Sequence, residues 1–97
     1  MIRHIALLTF GADTPEDRIA AIEAALARLP DCVPALRSYA FGRDLAIDSG
    51  NADFAVIADF DDETGYEEYR DDPEHRRIIV ELIRPVLAAR TAVQVRF

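Results

Sequence analysis

The chain has 97 residues, 51% of them hydrophobic, and its 18 acidic side chains outnumber the 11 basic ones, which gives a formal net charge of -7. This length fits one small domain, predicted to span residues 1–97. The negative charge repels phosphate backbones and anionic lipid, so we expect no nucleic-acid partner. No apolar run has the length of a membrane span, so no membrane partner is expected either.

Cys32 is the single cysteine, so no internal disulfide can form. The first residues also lack the basic start and long apolar core of a secretory signal. Both features favour a reducing compartment, and we expect the protein in the cytoplasm.

The first half of the chain is predicted to form a strand, a helix and a second strand. Residues 2–10 alternate with the period of a strand, and both faces of that strand are mostly apolar. Thr14 and Pro15 have the pattern of a helix start, with Thr14 as the cap and Pro15 at the first position. Pro30 is expected to end this helix, and the second strand is predicted from Ala35 to Leu45.

The second half repeats this order. Residues 53–60 alternate as a third strand, which should pair with the second strand as a hairpin across the polar loop at 48–51. A further helical region follows, and residues 91–97 are predicted to form the last strand.

The helix between the third and fourth strands is predicted to begin at position 61 or 62 and to break near Asp71. Asp72 is a good N-cap and Pro73 suits the first helical position, so the helix should restart there with His75 at its third position. Backbone N–H groups and the positive end of the helix dipole disfavour imidazolium at this point. A buried His75 would therefore be neutral and able to act as a base.

The predicted order, β-α-β-β-α-β, is that of the ferredoxin-like α+β fold. Two helices cover only one face of a four-stranded sheet, yet the first and third strands carry apolar side chains on both faces. The uncovered face is therefore expected to pack against an equivalent sheet of a second copy, and we predict a homodimer.

The candidate site combines the two histidines of the chain with one tyrosine. His4 shares a face of the first strand with small and apolar residues, and Tyr69 and His75 belong to the broken helix that should cover that face. The three side chains are predicted to surround an apolar small-molecule pocket between sheet and helices. Its predicted lining is Ala6, Leu8, Phe54, Val56, Ala58, Ile78 and Val93.

Each of the three polar residues also has an ordinary structural explanation. A histidine near a strand start, as His4 is, is more often solvated or hydrogen-bonded than functional. His75 fits a surface position in a first helical turn as well as it fits a functional role. Tyr69 fits a core residue whose hydroxyl reaches water or a backbone carbonyl. Only the three together indicate a site.

Neither a metal nor a cofactor is expected. No His-x-x-x-His spacing, no Cys-x-x-Cys spacing and no Gly-rich phosphate loop occurs in the chain. Asp59, Asp61, Asp62 and Glu63 fit a strand end and a helix cap better than a set of metal ligands.

Three segments, residues 3–10, residues 41–44 and the stretch from Tyr69 through Pro73 to His75, together resemble the stress-responsive A/B barrel (Dabb) family. The resemblance implies a ferredoxin-like protomer and a dimeric α+β barrel. In plant polyketide cyclases of this family, the equivalent of His75 is the base that removes a C–H proton and the equivalent of Tyr69 donates a hydrogen bond to the carbonyl. The equivalent of His4 borders their pocket. A small apolar or polyketide-like ligand is thereby implied.

The chain departs from those cyclases at two places. Phe54 stands on the third strand where they have a histidine, which makes the pocket less polar, and their common His-Pro-x-His run is here Asp72-Pro73-Glu74-His75. Three functions stay open. The first is a lyase or cyclase with His75 as base and Tyr69 as donor, and the second is a non-catalytic stress-response or ligand-binding protein. The third is a cofactor-free monooxygenase, which only the similar barrel supports.

Overall fold

A computed structural model describes all of residues 1–97. Four strands form one antiparallel sheet in the order β2-β3-β1-β4, and they are β1 (Ile2–Phe10), β2 (Ser38–Arg43), β3 (Phe54–Phe60) and β4 (Leu87–Arg96). The helices are α1 (Glu16–Ala27), α2 (Leu29–Cys32), α3 (Glu63–Asp71) and α4 (Pro73–Ile78), and α4 continues as a π-helical turn (Ile79–Ile83) and a 3-10 turn (Arg84–Val86). The ferredoxin-like α+β fold is thereby confirmed. None of the helices combines the length and the apolar character needed to cross a bilayer.

The helices cover one face of the sheet, called here the inner face. Every second residue of β1, from Ile2 to Phe10, points to this face and is buried. These side chains pack against the apolar stripe of α1 and the inward residues of the later helices. Removing apolar surface from water stabilises this arrangement by roughly 25 cal/mol per Å². The largest fully buried side chains are Phe54, Phe60, Ile22, Leu26, Leu29 and Ile78.

The break between α3 and α4 occurs where the sequence predicts it. Asp62 caps α3, since its side chain accepts a hydrogen bond from the Gly65 N–H at 2.9 Å. Asp72 caps α4 by accepting from the N–H groups of Glu74 and His75, at 2.9 and 3.0 Å. The cap fixes the start of α4 and thereby the direction in which His75 leaves the backbone.

The start and end of α1 differ from the prediction. The Thr14 hydroxyl donates to the Gly11 carbonyl at 2.7 Å, so Thr14 does not cap the helix, and Pro15 occupies the N-cap position. Pro30 does not end the helical path, because it lies in the first turn of α2. There the missing N–H of proline removes no hydrogen bond.

The second and last strands have different lengths from those predicted. β2 spans only Ser38–Arg43, since a turn in which Leu36 N–H donates to the Val33 carbonyl precedes it. β4 begins at Leu87, four residues earlier than predicted, and pairs with β1 as far as Phe10. The ladder with β1 overrides the helical preference of the alanines at its start.

The face without helices, called here the outer face, is largely apolar. It carries Ile5 and Leu7 of β1, Ile57 of β3, and Val93 and Val95 of β4. Leu7 is 40% exposed and Val93 is 51% exposed. One end of this face is polar, where Arg3, Ser38 and Asp59 are joined by hydrogen bonds of 2.6 to 2.9 Å.

Candidate functional site

A pocket of about 420 Å³ lies between the inner face of the sheet and the helices. This volume lies within the range of small-molecule sites. Strands β1, β3 and β4 line one side, and α1, α3, α4 and the turns that follow α4 line the other. The lining residues are His4, Ala6, Leu8, Leu26, Val56, Tyr66, Tyr69, Arg70, His75, Arg76, Ile79, Ile83, Arg84, Leu87 and Arg90.

His4 reaches the pocket from β1 and is held by one hydrogen bond. The side-chain Nε2 of Gln94, on the paired strand β4, lies 2.8 Å from His4 Nδ1 and donates to it. Nδ1 therefore carries no proton, and the neutral ring is protonated at Nε2. Burial, followed by the charges of Arg90 and His75, lowers the pKa of His4 to about 4. At neutral pH His4 is thus a neutral hydrogen-bond donor.

Tyr69 lies in the last turns of α3 with its hydroxyl turned towards a second tyrosine. Its ring packs on Phe60 with a centroid distance of 5.3 Å, and its hydroxyl oxygen is 3.2 Å from that of Tyr39. Burial raises the pKa of Tyr69 to about 12 and raises that of Tyr39 still further. Both hydroxyls therefore stay protonated. With Tyr39 as the donor in their hydrogen bond, the proton of Tyr69 remains available to a ligand.

His75 packs against the ring of Tyr69 at the start of α4. The two ring centroids are 4.0 Å apart with an interplanar angle of 30°. His75 Nδ1 is 3.4 Å from the Arg70 carbonyl oxygen, which favours the tautomer with the proton on Nδ1 and leaves Nε2 as the acceptor. Burial lowers the pKa of His75 below 6.5, and the backbone carbonyls of Arg70 and Tyr69 oppose this shift. At neutral pH His75 is a free base.

The three predicted polar residues thus line one pocket together. The rings of His4 and Tyr69 are 6.1 Å apart, and Tyr69 contacts His75 directly. Tyr66, one turn before Tyr69 on α3, also lines the pocket, with its ring 5.1 Å from that of His4. The arrangement offers one proton acceptor, His75 Nε2, and two donors, Tyr69 OH and His4 Nε2–H. Proton transfer to and from a small organic ligand is the chemistry that these groups can perform.

The structure places only part of the predicted apolar lining in the pocket. Ala6, Leu8 and Val56 line the pocket, whereas Phe54, Ala58 and Ile78 are buried in the core behind it. Val93 was predicted on the same face but lies on the outer face, opposite Ile5, because β4 turns its polar positions inward.

Sequence reasoning missed five polar residues of the lining, which are Tyr66, Arg70, Arg76, Arg84 and Arg90. Tyr66 could have been found, since a spacing of three residues places it beside Tyr69 on a helix. Arg90 was missed because the last strand was predicted to begin one residue after it. Its alternation with Ala92 and Gln94 becomes visible only when β4 starts at Leu87.

No group of three or more His, Cys, Asp or Glu side chains with the geometry of a metal site occurs in the structure. The acidic residues at positions 59 to 63 have other roles. Asp59 is bound by Arg3 and Ser38, Asp61 pairs with Arg37, and Asp62 caps α3.

Comparison with known proteins agrees with this fold. The sequence profile of the Stress responsive A/B Barrel Domain family (Dabb) matches residues 2–97. Among solved structures, the chain is similar to a dimeric ferredoxin-like protein of unknown function from Thermobifida fusca YX, with 45% identity, a TM-score of 0.91, and coverage of 99% of this chain and 90% of that one. No curated protein matches the chain.

Two less similar structures share the fold. One is a dimeric protein of unknown function with a ferredoxin-like fold from Bacteroides fragilis NCTC 9343, with 20% identity, a TM-score of 0.85, and coverage of 99% of this chain and 95% of that one. The other is the hydroxynitrile lyase from Passiflora edulis, with 16% identity, a TM-score of 0.83, and coverage of 97% of this chain and 90% of that one. Since the family profile spans nearly the whole chain and the fold agrees, the chain belongs to the stress responsive A/B barrel domain (Dabb) family.

Proposed function

We propose that the pocket performs acid–base chemistry on a small carbonyl compound, of the lyase or aldol-cyclase type, with His75 as general base and Tyr69 as hydrogen-bond donor. The observation that carries this proposal is the pairing of His75, a neutral imidazole, with the protonated hydroxyl of Tyr69 at one wall of the pocket. A base and a donor side by side suit a reaction in which a C–H proton leaves while charge develops on an oxygen.

The proposed step balances without a cofactor. His75 Nε2 takes a proton from a carbon next to a carbonyl, and the C–H electron pair moves into the enolate, whose oxygen accepts a hydrogen bond from Tyr69 OH. In the cyclase direction the enolate carbon attacks a second carbonyl, a C–C bond forms, and the new alkoxide takes the proton back from the imidazolium of His75. In the lyase direction His75 removes a hydroxyl proton, that oxygen becomes a carbonyl as the C–C bond breaks, and the electron pair of the bond moves into an enolate that Tyr69 OH holds. The imidazolium of His75 then returns the proton to the enolate carbon.

The tyrosine pair supports this assignment of roles. When Tyr39 is the donor of this pair, it polarises the Tyr69 O–H bond and strengthens the donation of Tyr69 to a developing oxyanion. The hydroxynitrile lyase named above is a lyase on a similar fold, but at its level of identity the likeness concerns the fold alone. The proposal therefore depends on the pocket geometry.

Deuterium exchange into a β-ketoester tests the proposal without knowledge of the natural substrate. Ethyl acetoacetate in deuterated buffer should exchange its central C–H faster with the wild-type protein than in buffer alone. His75→Gln should remove about a hundredfold or more of this acceleration, and Tyr69→Phe a smaller part, since it keeps the base. The acceleration should rise with pH to a plateau, with a midpoint below 6.5, because only neutral His75 accepts a proton.

Circular dichroism separates loss of activity from loss of fold in these variants. Unchanged exchange in a folded His75→Gln protein would exclude His75 as the base. Exchange by the wild type no faster than in buffer would exclude proton abstraction from such compounds.

A second candidate is a non-catalytic ligand-binding protein, and one contact favours it. The Tyr69 hydroxyl is already bonded to Tyr39, so it is fully satisfied when it acts as the donor of that pair. In this case Tyr69→Phe would leave ligand affinity largely unchanged, and exchange would not exceed the rate in buffer.

The proposal includes assembly as a homodimer through the outer faces. An exposed apolar sheet face of this kind normally marks an interface, and the Thermobifida fusca relative is described as dimeric. The loop between β2 and β3 also holds Leu45 and Ile47 in the open, 81% and 77% exposed. Asp44 orders this loop by accepting from Ala46 N–H and from the Asn51 amide. An ordered loop that exposes two large apolar side chains suits a contact with the second copy.

A further inference from the structure

The arginines of the chain divide sharply by whether they have partners. All 11 basic residues are arginine. Seven form ion pairs with carboxylates, namely Arg3, Arg28, Arg37, Arg43, Arg70, Arg77 and Arg96. Arg18 donates to the Leu82 carbonyl at 3.3 Å. The remaining three, Arg76, Arg84 and Arg90, have neither an ion pair nor a side-chain hydrogen bond.

These three unpaired arginines line the same pocket, and no aspartate or glutamate lines it with them. The absence of acidic partners here is unexpected, because the chain has 18 acidic residues and these pair with arginines over the rest of the surface. Arg70 also lines the pocket, but Asp71 binds it in a bidentate manner at 3.0 Å. The pocket of an acidic protein is therefore positively charged.

The positive charge acts on the groups inside the pocket. Arg90 is one of the causes that lower the pKa of His4, and its charge also opposes the burial effect on the Tyr69 hydroxyl. Three like charges around an apolar hollow repel one another, and an anion placed between them would remove that repulsion. Arginine binds carboxylate and phosphate oxygens through two parallel N–H bonds, which gives direction as well as attraction.

The rest of the lining is apolar, which indicates that the body of such a ligand is apolar too. Ala6, Leu8, Leu26, Val56, Ile79, Ile83 and Leu87 supply an apolar surface behind the arginines. The arginines are exposed, so their guanidinium groups lie towards the solvent side of the pocket and the apolar residues lie deeper.

We propose that the pocket binds an amphiphilic small molecule that carries an anionic oxygen head group, a carboxylate or a phosphate, held by Arg76, Arg84 and Arg90. The apolar body of the ligand packs on the sheet and reaches His75 and Tyr69. This inference rests on the proposed function only in taking the pocket as a small-molecule site, and it adds the charge class of the substrate.

Calorimetric titration with matched probes tests the inference without any turnover. The probes are naphthoate, its neutral isostere naphthamide, and naphthyl phosphate. Naphthoate should bind the wild-type protein about tenfold or more tightly than naphthamide, and added salt should weaken only the charged probes. Naphthyl phosphate distinguishes the head groups, since either anion supports the inference and the tighter one identifies the head.

Substitution of the three arginines tests whether they bind the anionic head group. The triple variant R76Q/R84Q/R90Q should bring naphthoate down to the affinity of naphthamide and leave naphthamide unchanged. Arg37→Gln is the matched control for each single variant, because it removes one positive charge outside the pocket, from a residue paired with Asp61. If the triple variant does not fold, each single variant should show part of the loss, about threefold to tenfold.

The outcomes separate this inference from the proposed function. Equal binding of naphthoate and naphthamide would overturn the anionic ligand and leave a small-molecule pocket standing. Tight naphthoate binding that ignores the arginine variants would also overturn it. Binding of none of the probes would overturn the inference and the pocket together. Loss of exchange activity alone, with naphthoate still bound through the arginines, would reject only the chemistry.

Discussion

The two faces of the sheet are built from the same strands but differ in the polarity of the side chains that they present. On β4, Arg90 lines the pocket and Gln94 bonds His4 on the inner face, whereas Val93 and Val95 lie on the outer face and are exposed. A strand of a lone protomer would show the reverse, with its apolar side chains under the helices. The inversion is the pattern expected if the inner face of β4 binds a ligand and the outer face packs against a protein surface, as proposed above.

The largest expected effect comes from placing a charge on the outer face. Val93→Asp should abolish the homodimer, because two copies of the carboxylate would be buried without partners. Sedimentation velocity would then give the protomer mass in place of the dimer mass.

Val80→Asp is the matched control for this experiment. Val80 is 48% exposed and Val93 is 51% exposed, but Val80 lies in the π-helical turn, away from the outer face. Dissociation by both substitutions, or by neither, would contradict the assignment of the outer face as the interface.

The next largest effect concerns the boundary between pocket and core. Phe54 is 1% exposed and stacks on Phe41 with a centroid distance of 6.3 Å, so it belongs to the core and not to the pocket lining. Phe54→Ala should cost about 3–5 kcal/mol of unfolding free energy, measured by urea denaturation. A cost below about 1 kcal/mol would instead indicate a side chain that borders a hollow.

A smaller effect is expected from His4 as the pH falls. The pKa of His4 is about 4 in the folded protein and 6.5 in the ordinary state, so the unfolded chain takes up a proton first. Stability should therefore fall as the pH drops from 6.5 towards 4, by at most about 3 kcal/mol. Urea denaturation across this range should show a shallower fall for His4→Gln than for the wild type.

The titration of the carboxylates can be separated from that of His4. The pKa values of Asp59, Asp61, Asp71 and Glu74 are lowered, in each case chiefly by hydrogen bonds from arginine. Their stabilising contributions begin to be lost below about pH 5, so the fall in stability between pH 6.5 and about 5 reports on His4. Parallel pH curves for His4→Gln and the wild type would mean that His4 is not held in its neutral form.

The smallest effect is expected at the cap of α4. Asp72→Ala removes the acceptor for two N–H groups and should cost about 1 kcal/mol, measured by thermal denaturation. Asp72→Asn keeps an oxygen acceptor and should recover most of that loss. Since the cap sets the start of α4, Asp72→Ala should also lower the exchange activity assigned to His75. A stability equal to that of the wild type would show that the cap does not hold α4.

Most of the fold could be predicted from local signals. Alternation defined β1 and β3, and Asp72 with Pro73 marked the start of α4, because both depend on neighbouring residues alone. Two local signals gave wrong helix bounds. Thr14 does not cap α1, because its hydroxyl donates to the Gly11 carbonyl instead. Pro30 does not end the helical path, because proline is tolerated in a first helical turn. The length of β4 depends on its pairing with β1, which is distant in sequence. The alanines at the start of β4 favour a helix and so give no local sign of a strand.

The polar centre of the site was more accessible to prediction than its lining. His4, Tyr69 and His75 carry recognisable chemistry and face one cavity. Val93 was placed wrongly because the rule that apolar side chains point inward fails on a sheet whose uncovered face is itself apolar. Arg84 and Arg90 carry no sequence signal, since their distinction is the lack of a partner, and partners are fixed only by the folded structure.

Titration of the two imidazoles by ¹⁵N NMR tests the central claim most directly, namely that the pocket holds a neutral donor at His4 and a neutral base at His75. The chain has only two histidines, so His4→Gln assigns both sets of signals. We predict that His4 titrates near 4 as the Nε2–H tautomer and that His75 titrates below 6.5 as the Nδ1–H tautomer. Titration of His75 above 6.5, or a proton on Nδ1 of His4, would contradict the account.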